Sequence, residues 1–358
     1  MVGEFGNLPA GPIGIAAGVA FRSEYVERDA DAQVNGGDFA SLGVFNDFSG
    51  RQSVSSLYVE AALPVHADID LQIEKSITKK CDVSFSGLPH AASAEQIKTY
   101  FNDDLKILDL SADFRLNNLE EYTKWYDTEH PSPEKLKDFV YGLTEIYRNE
   151  IKNSNYVAVP GCFPTSTLLG LLPAIKSGLV SPPVIVDAKT GVSGAGRKLS
   201  LNTHFSEVNE NVKAYSVYGH RHLSEISQEC MILDENFKNN ITFLTHLIPM
   251  TRGILTTIYA DYNEKLLNNE NDLIEIFKTF YKDSQFVKIV NEPPSTKETL
   301  GTNYCLVFPY IEPNSNKLII ISCIDNLVKG TAGQAVQDMN LMFGLNESEG
   351  LLDLALYP

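Results

Sequence analysis

The sequence predicts an α/β protein in two parts, a parallel α/β portion followed by an α+β portion with a largely antiparallel sheet. From about residue 81, short apolar runs alternate with segments of helical spacing, the pattern of strands joined by crossover helices. After about residue 240, β-rich runs follow one another closely with one clear helix among them, as in an antiparallel sheet. The length, 358 residues of which 43% are hydrophobic, is enough for two cores rather than one.

The elements follow in chain order. Gly11, Gly14 and Gly18 in AGPIGIAAG hint at a glycine-rich turn. Their spacing is G-x-x-G-x-x-x-G, however, and the MVGEFGNLPA before them lacks strand character. NGGDFASLGVFNDFSGRQSVSS has turn chemistry and little periodicity. CDVSFSGLP then reads as a strand and loop, SAEQIKTYFN as a helix, DLKILDLSADFRL as a strand and loop, and SNYVAVPGC as the next strand. TSTLLGLLPAI (165–175) reads as an apolar helix, so Cys162 falls at a strand-to-helix junction. VIVDA is a strand and 223–230 a helix. ITFLTHLIPM, GILTTIYADY, QFVKIV, NYCLVFPYI and KLIIISCID read as strands, and DLIEIFKTFYK as the helix among them. The last segment, GTAGQAVQDMNLMFGL, spaces Ala335, Met339 and Met342 as one helical face, suited to packing back on the first part.

Bulk composition excludes several classes. Five cysteines at 81, 162, 230, 305 and 323 form neither a disulfide framework nor a CxxC pattern, which points to a reducing compartment, with the cytoplasm expected. No stretch approaches the ~20 apolar residues of a membrane span. A net charge of −17 disfavours nucleic acid, because phosphate contacts supply most of that affinity. Any cations that bind an anionic ligand must be gathered locally.

VAVPGCFPTST (157–167) carries the first candidate for chemistry. A helix N-terminus has unpartnered N–H groups and a favourable dipole end, so it should lower the pKa of the Cys162 thiol. Gly161 allows a tight turn, and Pro164 suits a first helical turn. A buried structural cysteine is the alternative. A nucleophilic thiol needs an acid/base partner. YGHRHLSEIS offers His220 and His222 beside Arg221, with Glu225 spaced to orient an imidazole from the first turn of the following helix. A solvated surface pair or a metal pair are the alternatives there, and no further cluster has ligand spacing. DAKTGVSGAGRKLS sets glycines, serines, Arg197 and Lys198 in one loop after a strand, a natural anion cradle. Arg115 in LSADFRL stands just past a strand end, where α/β proteins place ligands, and is the first candidate to hold a phosphate. His222 is a further candidate on the substrate side. A thiolate, an imidazole, an anion loop and an arginine together suggest acyl transfer through a thioester.

PGCFPT, SGAGRK with THFSEVNEN, GHRH, IPMTRGIL and IDNLVKGTAGQAVQDMNLMFGL occur in this order, preceded by GLPH, LDLSADFRL and YGLTE. In these motifs the chain resembles the N-acetyl-gamma-glutamyl-phosphate reductases of arginine biosynthesis, from roughly residue 70 to 346. The resemblance implies a Rossmann-type NADP-binding domain over 1–160, a catalytic and oligomerisation domain over 161–328, and a C-terminal segment, 329–358, whose helix packs on the first domain. It implies NADPH-dependent reduction of an acyl phosphate through a Cys162 thioester, with His220 managing the proton. It places Pro89, Ser193, Gly194, Gly196 and Asn326 near the cofactor. A homo-oligomer, dimer or tetramer, is expected.

Members of this family open with a strand and a G-x-x-G-x-x-G turn, and nothing before about residue 66 follows that pattern. A diverged first unit and an altered reading frame are the two explanations. The remaining functional alternatives are a relative acting on aspartyl or aminoadipyl phosphate, and a non-catalytic module with a defective cofactor half.

Overall fold

The computed structural model describes residues 2–8, 11–28, 48–62, 81–101, 105–196, 200–238, 240–267 and 269–356. The chain divides into two compact units, Met1–Leu71 and Gln72–Pro358. In the first, β1 (Val2–Leu8), β2 (Gly11–Arg28) and β3 (Phe48–Ala62) form an antiparallel sheet in the order β1-β2-β3. Gly11, Gly14 and Gly18 therefore lie along an extended strand, and the hinted glycine turn is corrected: without a preceding parallel strand and a following helix, spacing alone does not make one.

The second unit holds both predicted parts. A four-stranded parallel sheet runs in the order β4-β5-β7-β6, from β4 (Val83–Ser86), β5 (Lys106–Asp109), β6 (Val140–Tyr141) and β7 (Tyr156–Ala158). Helices α1 (Ala92–Tyr100), α2 (Leu119–Tyr126) and α3 (Thr144–Lys152) fall between these strands. The α1 helix has a carboxylate at its start. Asp113 Oδ1 accepts from Ala91 N at 2.7 Å and Oδ2 from Ala94 N at 2.8 Å, satisfying amides that the helix leaves open. Asp109, at the buried end of β5, is pushed up to about 6 by burial against the hydrogen bonds of Ser111 and Ser93.

The chain then passes directly from β7 through Val159, Pro160 and Gly161 into α4 (Cys162–Lys176). The helix starts three residues earlier than the apolar pattern predicts, which puts Cys162 at its first position and Pro164 in its first turn. Pattern reading finds the buried turns, whereas the start is set by the extended Gly161 cap, which buries no large side chain. Along α4, Leu168, Leu169, Leu171 and Leu172 are at most 2% exposed, each contributing about 1.5–3 kcal/mol of burial.

That helix packs on a seven-stranded mixed sheet ordered β12-β13-β14-β11-β8-β10-β9. Its strands are β8 (Val180–Thr190), β9 (Lys213–Tyr215), β10 (Ile241–Leu247), β11 (Ile254–Tyr262), β12 (Val287–Ile289), β13 (Cys305–Glu312) and β14 (Lys317–Ile324). Only the β8–β10 and β12–β13 pairs are parallel. Gly170 lets α4 lie close to this sheet, since a Cβ there would stand 3.2 Å from Ile258 Cδ1 and 3.3 Å from Ser322 Cβ. The short α5 (Phe205–Val208) and α8 (Thr296–Thr299), with α6 (His222–Leu233) and α7 (Glu270–Phe280), complete this part. The C-terminal helix α9 (Gly333–Met342) packs Ala335, Leu341 and Met342 against Leu108, Ile151 and Val157 of the parallel part, as the sequence predicts.

Candidate active site

Two helix starts meet at the end of β7. Gly161, the cap of α4, lies against His222, the first residue of α6: a Cβ on Gly161 would stand 2.7 Å from His222 Nε2 and 3.0 Å from Arg115 Nη1. Glycine is required because two side chains, His222 and Arg115, close on the space a Cβ would take.

Glu225, one turn into α6 and 2% exposed, holds this junction together. Its Oε1 accepts from Gly161 N at 2.8 Å and from Tyr141 OH at 2.6 Å, and its Oε2 lies 3.5 Å from Arg115 Nη1. No hydrogen bond joins Glu225 to either imidazole among the described residues. The expected orienting contact is corrected: Glu225 points along its helix toward the Cys162 turn, and sequence spacing to His222 does not carry that direction.

Arg115 is likewise engaged. Its Nε donates to Val159 O at 2.7 Å and its Nη2 to Leu110 O at 2.8 Å, with the Glu225 carboxylate on Nη1. It is buried and does not line the cavity described below. The expectation that it meets phosphate gives way to a scaffolding position under the turn before Cys162. Arg197, the other expected phosphate arginine, lies outside the described residues.

A cavity of about 730 Å³ opens above this junction. Cys162, His220 and His222 all line it, together with Trp125, Tyr215, Lys213, Arg221 and Gly194. The described lining residues include two cations and no carboxylate, in a chain whose net charge is −17. The local gathering of positive charge that an anionic ligand requires is present.

The protonation states differ from the sequence expectation. Burial pushes the Cys162 thiol up to about 11, against the amides of Phe163 and Cys162 and the Arg115 charge, which pull it down. The helix N-terminus acts in the predicted direction, but desolvation of the thiolate outweighs it. Burial, then the Arg221 charge, holds His220 down at about 4. Burial, followed by His220, Arg115 and Arg221, holds His222 well below the usual imidazole range. The resting site is thus a neutral thiol and two neutral imidazoles lining one cavity. His220 Nδ1 accepts from the His222 backbone N–H at 3.1 Å, which puts the His220 proton on Nε2. His222 Nδ1 is buried with no hydrogen-bond partner among the described residues.

Asn326, fully buried, is a tie between loops: Oδ1 accepts from Gly253 N at 2.7 Å and Nδ2 donates to Ser193 Oγ at 3.0 Å. Ser193 lies in the turn Val192–Ala195, and Gly196 after it takes φ +75°, the left-handed region that favours glycine. Pro89 is exposed, and its carbonyl accepts from Ser93 N at the start of α1. Sequence reasoning missed Tyr141, Lys213 and Trp125. Tyr141 stands in the YGLTE motif quoted above, while Lys213 and Trp125 sit in no recognisable pattern.

A nicotinamide dinucleotide fits the described residues only in part. Its pyrophosphate needs a glycine turn or an open helix start. Here Asp113 closes the α1 start and the N-terminal glycines are extended.

Comparison with known proteins extends the match upstream of the motifs. The model of the semialdehyde dehydrogenase NAD binding domain matches residues 46–154, and that of the semialdehyde dehydrogenase dimerisation domain residues 162–326. The first match begins some twenty residues before the onset at about 66–70 read from motifs. N-acetyl-gamma-glutamyl-phosphate reductase of Dehalococcoides mccartyi is 45% identical over 310 residues, 87% of this chain and 90% of that protein. The protein of that name from Geobacillus kaustophilus is 44% identical over 318 residues, 87% of this chain and 91% of its own. In fold, the chain is similar to aspartate semialdehyde dehydrogenase II of Vibrio cholerae, with a TM-score of 0.53 at 16% identity over 73% of this chain and 79% of that one. The same holds for the enzyme of Francisella tularensis, with a TM-score of 0.52 at 13% identity over 76% and 84%. With a Cys162 junction, a cation-lined cavity and relatives this similar, the chain belongs to the N-acetyl-gamma-glutamyl-phosphate reductase family of semialdehyde dehydrogenases.

Proposed function

We propose that the chain reduces N-acetyl-gamma-glutamyl phosphate to N-acetylglutamate semialdehyde and phosphate, with NADPH as reductant. The observation that carries this is the single cavity in which Cys162, two neutral imidazoles, Lys213 and Arg221 meet with no carboxylate among the described lining residues.

Cys162 Sγ attacks the acyl carbon, the bond from that carbon to the phosphate oxygen breaks, and a thioester forms. The thiol is protonated at rest, so its proton must leave as the bond forms. His222, with an unpartnered Nδ1, is the acceptor available in the site. His220 presents Nε2–H toward the acyl oxygen and stabilises the negative charge that develops there. Lys213 and Arg221 hold the anionic ends of the substrate, and we assign Arg197, outside the described residues, as a further phosphate ligand. Arg115 and Glu225 act beneath the site by fixing Gly161 and the His222 start. The dinucleotide, when bound, would supply the hydride that takes the thioester to the aldehyde level; the C–S bond then breaks and the Cys162 sulfur regains the proton held on His222. We assign Pro89, Ser193, Gly194, Gly196 and Asn326 to its side of the site.

A free aminoacyl phosphate such as aspartyl phosphate suits this cavity less well. Its ammonium would face Arg221 and Lys213 without a carboxylate to pair it, and acylation of the amine removes that charge. We also assign a dinucleotide domain to the residues before 161 and a catalytic domain to 161–328, the Ser193–Gly196 turn and Asn326 of the second reaching toward the dinucleotide of the first. A homo-oligomer fits the dimerisation-domain match. Ile185, Tyr259, Ile319 and Tyr310 stand in register across four strands on the sheet face opposite α4, with Ile185 49% and Tyr259 37% exposed. That face is the surface for a second copy.

Phosphate-dependent reduction of NADP with N-acetylglutamate semialdehyde, followed at 340 nm (about the absorbance maximum of the reduced nicotinamide), tests the assignment. The wild type should turn over and Cys162→Ala should lose at least about a thousandfold. Equal rates in the two proteins would remove the thioester route.

A further inference from the structure

A π-helical turn, Val328–Ala332, stands between the start of α4 and a fully buried ion pair, and the proposed reaction gives it no role. Gly330 N bonds back to Asp325 O at 2.9 Å and Ala332 N to Leu327 O at 3.1 Å, so this turn is wider than an α-helical one. Gly330 faces the nucleophile: a Cβ there would lie 2.8 Å from Cys162 Cβ and 3.3 Å from its Cα. The backbone of the turn is therefore the wall against which Cys162 rests.

Neighbouring residues fix that wall on three sides. At its start, Asp325 Oδ1 accepts from Leu327 N at 2.8 Å and Val328 N at 3.3 Å. At its end, Gly333 fits because any Cβ would overlap Asn303 Oδ1. Between them, Lys329 turns away from solvent altogether. Its Nζ donates to Glu145 Oε1 at 2.7 Å and to Gln337 Oε1 at 2.8 Å, and both side chains of the ion pair are fully buried. Gln337 Nε2 also donates to Glu145 Oε1, at 3.2 Å. Glu145 is on α3 and Gln337 on α9, so the ammonium ties three elements together at one atom. A buried cation holds its geometry closely, because leaving its partners strands a charge in the core.

We propose that the Lys329–Glu145 pair is a positioning device for the nucleophile: it fixes the π-turn so that Gly330 sets where Cys162 stands at the start of α4. This rests on Cys162 being the reacting thiol. Lys329, Glu145 and Gly330 are positioning residues that touch no substrate in this account.

Alkylation of Cys162 by iodoacetamide tests it without substrate or dinucleotide. The sulfur displaces iodide to form a thioether and its proton passes to solvent, and peptide mass spectrometry counts Cys81, the exposed thiol, separately. Lys329→Met, Glu145→Gln and Gly330→Ala should each slow alkylation of Cys162 by about tenfold or more. Each should lower kcat by about 10–100-fold, with KM for the acyl phosphate within about twofold. Gly330→Ala leaves the ion pair intact, so its agreement with the other two locates the effect at the wall. A lower melting temperature with wild-type alkylation and kcat per folded molecule would overturn the proposal. If Lys329→Met does not fold, the other two variants decide. If none of the three folds, the pair serves folding alone and the proposal falls. A wild type inactive on the acyl phosphate, with alkylation still slowed in the variants, would remove the proposed function and leave the positioning role standing.

Discussion

Helices α1 and α4 both begin beyond the C-terminal ends of strands in the parallel sheet, yet their starts are finished in opposite ways. At α1 the Asp113 carboxylate accepts from two backbone amides and from Tyr122 OH at 2.7 Å. At α4 no side chain among the described residues caps the helix, and the amides of Cys162 and Phe163 act on the thiol instead. The carboxylate that does reach this start, Glu225, bonds one residue earlier, at Gly161 N. A helix start whose amides are closed by a carboxylate is a structural joint, whereas one braced from behind leaves its first amides for chemistry.

The largest effect that sharpens this contrast is in pH. With the thiol at about 11, alkylation of Cys162 should rise about tenfold per pH unit, roughly a thousandfold between pH 7 and pH 10, with no plateau in that range. A plateau near pH 8 would mean that the open amides outweigh burial. Next comes the donor to the acyl oxygen: His220→Ala, which removes the ring Nε2–H, should lower kcat about a hundredfold while the protein remains folded. Unchanged kcat would show that His220 does not stabilise the charge on that oxygen. The smallest effect belongs to the closed start. Asp113→Ala should cost about 2 kcal/mol of stability in urea denaturation by orphaning the α1 amides and Tyr122 OH, with kcat unchanged per folded molecule. A fall in kcat larger than about threefold would show that the two starts are not separate in function.

The parts of the site that lie in contiguous motifs were legible. PGCFPT and GHRH place Cys162, His220 and His222 in one cavity, and the strand-to-helix passage around Cys162 follows from an apolar run interrupted by Pro-Gly. The direction of the thiol pKa was not legible, because residue type gives the helix start but not how much water it excludes. Arg115 was placed correctly at a strand end. Its carbonyl partners Val159 and Leu110 and its pairing with Glu225 come from tertiary packing, which turns a presumed ligand into a brace. Lys329 stands unremarked inside a quoted motif, and only the fold shows it buried on Glu145. Within the first 65 residues, alternation too weak to separate strand from turn left β1, β2 and β3 unread.

The central claim is that Cys162 carries the acyl group, and it can be tested apart from the dinucleotide. Protein mixed with N-acetyl-gamma-glutamyl phosphate, quenched in acid and weighed intact, should gain one N-acetylglutamyl group in the wild type, released by hydroxylamine, and none in Cys162→Ser. Phosphate release without any acylated wild type, or the same adduct on Cys162→Ser, would contradict the account.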